Sequence, residues 1–168
     1  VISQIQKHDS VERFCGLGAQ IEFGNAEFLD EHLVRVRDRK YSAKNWVIAT
    51  GSSPELPKIE GLDKTPHLTN RDIFYLDSLP KSMVILGGGP IAVEMAQAFC
   101  RLGTTVSVIQ RSGQILSKED RDMADAVMQN LAAEGVQFHL DITTIAVRSS
   151  AAWREVILRS KDGKRETV

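Results

Sequence analysis

One stretch restricts the fold of this chain more than any other: "VILGGGPIAVE", residues 84–94, in which an apolar strand runs into three glycines and then into a helical pattern carrying a carboxylate. Three glycines in a row cannot continue a strand or sit inside a helix without large entropic cost, so they mark a tight turn between two buried elements. The elements around them repeat that arrangement. Met83 to Leu86 is apolar, and Ile91, Met95, Ala98, Phe99 and Leu102 recur at helical spacing until Gly103. Val106 to Ile109 reads as a second strand. Met123, Val127, Met128 and Leu131 stripe a second helix ending near Gly135, and Val136 to Leu140 reads as a third strand. The unit is β-α-β-α-β, which calls for a parallel sheet with helical crossovers. Thr143 to Val147, Val156 to Arg159 and the Lys161-Asp162-Gly163-Lys164 turn read as an antiparallel meander laid onto that sheet. The fold class is therefore α/β, a Rossmann-like parallel sheet with an added β-meander.

The rhythm is different before Leu79-Pro80. Asp9-Ser10 caps a short amphipathic stretch that closes at Gly16 to Gly18. Four short apolar pieces follow, Gln20 to Phe23, Ala26 to Leu29, Leu33 to Val36 and Asn45 to Thr50, punctuated by Gly24-Asn25, Asp30-Glu31-His32 and Asp38-Arg39-Lys40. Punctuation every eight or so residues predicts an antiparallel meander. Pro54 and Pro57 make residues 51–61 an extended crossing segment. The expected division is residues 1–79 and 80–168.

Composition removes whole classes of function. In 168 residues the formal charge is -1, with Lys and Arg scattered among acids, so a nucleic-acid backbone is not an expected partner. No apolar run reaches the roughly 20 residues needed to span a bilayer, and no signal-peptide pattern opens the chain, so a cytoplasmic setting is expected. The first residue is not Met, and a piece of a longer chain is expected. Cys15 and Cys100 lack dithiol or metal-ligand spacing and read as packing residues, and the four histidines have no nucleophile or second ligand at useful spacing. No catalytic and no metal-ligating residue is expected.

What remains is the glycine turn. Gly87-x-Gly89-x-x-Ala92 follows a strand and opens a helix, the setting in which this pattern carries information. Gly87 allows the turn, Gly89 allows backbone to approach a pyrophosphate, and Ala92 allows close packing of helix on strand. Gly88, Pro90 and Ile91 complete a loop whose N–H groups sit at the positive helix end. A plain turn is the alternative. An NAD site commonly offers an acid about 20 residues further on for the ribose hydroxyls. Here that place holds Gln110-Arg111, with no carboxylate and with a guanidinium suited to a 2′-phosphate, which points to NADP and leaves NAD open. Arg111 as a solvated loop charge is the alternative, and Lys118 is a candidate second cation. Glu94, one turn into the helix, suits the helix dipole.

The tracts "VIATGSSPELPKIEGL" (47–62) and "MVILGGGPIAVEMAQAFCRLGTTVSVIQR" (83–111) resemble the centre of a class I pyridine nucleotide-disulfide oxidoreductase. "DSVERF", "GNAEF" and "AQAFCRLGTTVSVIQRS" resemble the mercuric reductase-like branch most. The resemblance implies FAD as well as a pyridine nucleotide. It implies that Thr50 and Gly51 end a strand passing the FAD, that Ala26 meets the flavin's adenine, and that Glu94 lies near the nicotinamide, pairing with a flavin-side lysine. It makes residues 1–79 part of an FAD-binding domain and 80–168 an NAD(P)-binding domain without its last strand. Pro90 stands where several members carry a gating aromatic, and Ser117 where a second phosphate-binding arginine is found. The redox CxxxxC, the FAD glycine motif and the carboxy-terminal interface domain lie outside these residues, so the expectation is an NAD(P)H-binding fragment of a homodimeric enzyme, inactive alone and prone to pairing through its strand edges. That enzyme would pass hydride from NADPH to FAD and on to a dithiol and an acceptor. An NADH-linked dihydrolipoamide dehydrogenase relative and a non-catalytic regulatory module stand as alternatives.

Overall fold

The computed structural model describes residues 10–151 and 153–168; His8 and Asp9 lie outside the described residues. The chain divides into two compact units, Val1–Ser52 and Ser53–Val168.

In the first unit, α1 (Val11–Gly16) is capped by Ser10, whose hydroxyl accepts from the Arg13 N–H at 3.3 Å. Strands β1 (Ala26–Phe28), β2 (Leu33–Val36) and β3 (Arg39–Ser42) form an antiparallel sheet in that order. Pairing of Val36 with Arg39 leaves Arg37-Asp38 as a two-residue turn, with Arg37 at φ 53°. Of the expected turn Asp38-Arg39-Lys40, only Asp38 is in the turn, and Arg39 and Lys40 begin strand β3. Its charges are tolerated because Arg39, Lys40 and Ser42 are exposed and Val34 and Val36 of β2 carry the buried face.

Two expected strands do not form. Residues 20–23 and 45–50 are irregular, including the tract ending at Thr50-Gly51. A strand exists only with a neighbour bonded to its main chain, and among the described residues neither tract has one, although the Glu22 side chain accepts from Arg39 and Tyr41; Val47 and Ile48 are 90% and 72% exposed.

The second unit has the expected alternation. Strands β4 (Ser82–Leu86), β5 (Thr105–Ile109) and β6 (Gln137–His139) form a parallel sheet in that order, joined by α2 (Pro90–Arg101) and α3 (Arg121–Ala133). Strands β7 (Ile142–Ser149), β8 (Arg154–Ser160) and β9 (Arg165–Thr167) form an antiparallel sheet.

Two hydrophobic clusters use the two faces of the parallel sheet. Val106 and Val108 pack with Ala96 and Phe99 of α2 and Leu131 of α3, flanked by Met83 and Ile85. Ile109, one residue out of phase with them, packs with Ile142, Val147, Val156 and Leu158 of the antiparallel sheet, flanked by Val84 and Leu86. Period-2 alternation in β4 and β5 thus assigns one set of side chains to the helices and the other to the meander.

The helix stripes are shifted from the sequence expectation. Ile91, Leu102 and Met123 are 60%, 60% and 63% exposed, while Ala96 and Ala124 are buried. The buried faces are built on the small residues because they let each helix approach the sheet closely, and that places the longer neighbours at its edges.

Residues 53–79, the first part of the second unit, hold no long element but pack on its meander. Leu62, in a 3-10 turn (Leu62–Lys64), joins the cluster with the meander, and the Val147 N–H donates to the Glu60 carbonyl at 2.7 Å. Gly61 passes Val147 at φ 79°, and a Cβ there would collide with the Val147 carbonyl oxygen.

Candidate functional site

The turn from β4 into α2 is built from three glycines with three different jobs. Gly87 continues the sheet ladder, donating to the Ile109 carbonyl at 2.8 Å, and then turns the chain at φ 103°, a region closed to most side chains. Gly88 is buried under the segment that follows β5: a Cβ there would lie 3.2 Å from Ile115 Cγ2 and 3.4 Å from Gln110 Cγ and Cδ. Gly89 caps α2 with ordinary extended backbone, φ -77° and ψ 178°, and no side-chain cap. A Cβ on Gly89 would meet no protein atom within 4 Å.

The helix start leaves donors available. Pro90 occupies the first helical position and has no N–H, and the Val93 N–H already binds the Gly89 carbonyl at 3.0 Å. Among the described residues the amides of Gly89, Ile91 and Ala92 have no acceptor. Three unpaired N–H groups at the positive end of a twelve-residue helix, beside a residue without a β-carbon, form a cradle for an anion that is approached by backbone alone. That arrangement fits the pyrophosphate of a dinucleotide.

The end of β5 supplies a second feature. Arg111, Ser112 and Ser117 line, with Gln110, a shallow depression of about 350 Å³. Arg111 is exposed, and it has no hydrogen bond or ion pair among the described residues. Arg111 and Ser117, the latter at the place of the expected second arginine, line one depression, whereas Lys118 is exposed and outside that lining. A cation beside hydroxyls suits a phosphate monoester.

Gln110 is engaged within the protein. Its Oε1 accepts from the Gly88 N–H at 3.1 Å, and its Nε2 donates to Ser112 Oγ at 2.7 Å and to the Gln114 carbonyl at 3.2 Å. The Leu116 N–H donates to the Gly88 carbonyl at 2.7 Å. The sequence reading did not single out Ser112, Gln114, Ile115 or Leu116. Their only signal is a short polar turn after a buried strand, and their contact with Gly88 is non-local.

Glu94 is exposed on α2 and has no partner among the described residues. Ala26, at the start of β1, is exposed, as are Thr50 and Gly51. These three belong to the first unit, and Gly87 to Ala92, Glu94, Gln110, Arg111 and Lys118 to the second. Cys15 is exposed and Cys100 half-buried, both with free thiols, and Cys100 Sγ donates to the Glu134 carbonyl at 3.3 Å. Among the described residues no cluster of His, Cys, Asp and Glu is arranged to hold a metal ion, and no helix is long and apolar enough to cross a membrane.

Comparison with known proteins gives one consistent picture. The mercuric reductase of Lysinibacillus sphaericus is 34% identical over 145 residues, 86% of this chain and 26% of that protein. The dihydrolipoyl dehydrogenase of Geobacillus stearothermophilus is 32% identical over 161 residues, 91% of this chain and 33% of that protein. The chain thus spans between a quarter and a third of these two relatives. Among solved structures, a copper(II) complex of a cysteine variant of RclA, an HOCl-induced flavoprotein disulfide reductase from Escherichia coli, superposes with a TM-score of 0.77 at 26% identity, over 98% of this chain and 39% of that one. The model of the pyridine nucleotide-disulphide oxidoreductase family matches residues 2–168. With that match along nearly its whole length and a glycine cradle at the mouth of its parallel sheet, the chain belongs to the pyridine nucleotide-disulphide oxidoreductases.

Proposed function

We propose that the second unit binds a pyridine nucleotide, NADPH in preference to NADH, within an FAD-dependent oxidoreductase. The observation that carries this reading is the set of unpaired Gly89, Ile91 and Ala92 amides placed beside the Arg111–Ser117 depression. The pyrophosphate would be held by those amides and the 2′-phosphate by Arg111 with Ser117. In such an enzyme the nicotinamide supplies a hydride and the flavin accepts it before a dithiol and a final acceptor are reduced. Glu94, exposed and unpaired one turn into α2, would meet the nicotinamide end, as the family resemblance implies. Residues 80–168 serve the pyridine nucleotide, and residues 1–79 contribute to the flavin site through Ala26, Thr50 and Gly51. We place the whole protein in the cytoplasm as a homodimer, as its resemblance to the class I pyridine nucleotide-disulfide oxidoreductases implies.

The dihydrolipoyl dehydrogenase relative supports a second reading, an NADH-linked enzyme. Titration of the chain with both cofactors separates the two. NADPH is expected to bind at least tenfold more tightly, because a charge-assisted contact is worth roughly 1.5–3 kcal/mol, and Arg111→Ala should remove most of that advantage. Equal affinities in the unmutated chain would reject the NADPH assignment. Absence of binding to either cofactor would reject the site.

A further inference from the structure

We propose that Gln110 is a positioning residue: it clamps the glycine loop to the segment after β5 and so sets the spacing between the pyrophosphate cradle and the Arg111 depression. The proposal rests on the reading of this site as a dinucleotide site.

The hydrogen bonds assign the orientation of the amide. Oε1 accepts from the Gly88 N–H, and Nε2 donates to Ser112 Oγ and the Gln114 carbonyl. The flipped amide would face an N–H with an NH₂ and a carbonyl with a carbonyl, so only one orientation satisfies every partner. Ser112 Oγ passes the chain on, donating to the same Gln114 carbonyl at 2.8 Å. Main-chain bonds fix Gln110 itself, since its N–H donates to the His139 carbonyl at 2.9 Å and its carbonyl accepts from the Ile142 N–H at 3.1 Å. It is therefore anchored in the sheet while its side chain reaches across to a loop 22 residues earlier in the chain.

Gly88 is gripped on both sides. Its N–H goes to Gln110, its carbonyl takes the Leu116 N–H, and Ile115, 1% exposed, lies against its α-carbon face. With both polar groups of Gly88 spent on the protein, the neighbouring amides of Gly89, Ile91 and Ala92 are the ones left for an anion. Both N–H bonds of the Gln110 amide are spent as well, so it has no donor to offer a ligand, and its oxygen is turned inward to the Gly88 N–H. Its contribution to binding is geometric: holding donors in place before the ligand arrives lowers the ordering cost of binding.

A clamp and a ligand contact give different results on substitution. Gln110→Leu keeps the bulk and removes the hydrogen bonds. In the full 168-residue chain, hydrogen exchange at the Gly88 amide is expected to accelerate at least tenfold, with the Phe99 amide inside α2 unchanged. Titration with NADPH and NADH is expected to show both weakened about tenfold and their ratio held within twofold, because the cradle is common to both. Arg111→Ala, by contrast, should change the ratio and leave Gly88 exchange as it was.

If Gln110→Leu loses protection throughout α2, Gln110→Glu replaces it as the test. One carboxylate oxygen still accepts from the Gly88 N–H, and the Ser112 hydroxyl turns from the Gln114 carbonyl to donate to the other, so protection at Gly88 persists, while the charge beside Arg111 weakens NADPH more than NADH. Unchanged Gly88 exchange in the leucine variant, or lost Gly88 protection in the glutamate variant, overturns the clamp. Unchanged affinities in a leucine variant with exposed Gly88 overturn its role in positioning. If the unmutated chain binds neither cofactor, the pyridine nucleotide reading fails and the positioning role fails with it, whereas Gly88 exchange still decides the clamp.

Discussion

Gly89 is the one glycine of the turn whose replacement tests binding without testing folding. Its backbone is extended and a Cβ would meet nothing, so Gly89→Val should keep the melting temperature of the parent chain while placing two methyl groups among the three unpaired amides. Loss of even one charge-assisted bond, roughly 1.5–3 kcal/mol, weakens the dinucleotide by about tenfold or more. Calorimetric titration checks this, and undiminished affinity in the valine variant would show that the loop is a plain turn. Gly87→Ala is the contrasting control: at φ 103° the new Cβ costs about 1–3 kcal/mol in backbone strain, so stability should fall first. The pattern Gly87-x-Gly89-x-x-Ala92 was legible because it is local in sequence, although backbone geometry demands a glycine only at Gly87, at φ 103°. The role of Gly88 was not, because it is set by Gln110 and Ile115, which are distant in sequence and meet it only in the fold.

Elements whose boundaries rest on local chemistry were legible, and elements that depend on a partner were not. Helices α2 and α3 stop at Gly103 and Gly135 as expected, and the parallel order β4, β5, β6 follows from their alternation with the strands. The tracts 20–23 and 45–50 have strand-like composition but no main-chain pairing partner among the described residues, while β3 has charged composition and a paired neighbour that makes it a strand. Between the helices, one contact joins ends that the sequence could not pair. Glu134, the C-cap of α3, takes a bidentate bond from Arg101 at the end of α2, at 2.7 Å on each oxygen, and a further bond from Gln97. The hydrogen bond from Arg101 holds the Glu134 carboxyl below its ordinary range, and Gln97 and the Arg101 charge add to this against some desolvation. A carboxylate whose pKa is depressed on folding stabilises the fold above its unfolded value, and that contribution is lost as pH falls through the folded value. The melting temperature of the parent should therefore exceed that of Glu134→Gln at neutral pH, and the gap should close as pH falls below the ordinary carboxylate range and through the depressed folded value. Both partners are solvent-accessible, so the gap is small. A gap independent of pH would show that packing, not charge, joins the helix ends.

At the scale of the whole molecule, the division Val1–Ser52 and Ser53–Val168 decides what can be separated from what. Every residue of the glycine cradle and of the Arg111 depression lies in the second unit, so a polypeptide of residues 53–168 should bind NADPH with the affinity of the full chain. Beginning instead at residue 80 removes Leu62, 6% exposed, and Ile59 from the cluster shared with Val147, Val156 and Leu158, along with the Glu60 carbonyl that holds the Val147 N–H. Removing a buried leucine from a core costs roughly 2–5 kcal/mol, and an orphaned N–H adds to that. Residues 80–168 should accordingly melt well below residues 53–168, although both contain the same cradle. Neither should reduce a disulfide with NADPH, because Cys15 lies outside both and Cys100, bonded to the Glu134 carbonyl, has no second thiol in either to form a dithiol. The decisive comparison is NADPH affinity and melting temperature measured together on the two polypeptides. Equal melting temperatures would show that the 53–79 segment adds nothing to the stability of residues 80–168. Weaker NADPH binding by residues 53–168 than by the full chain would show that residues up to Ser52 contribute to the nucleotide site itself.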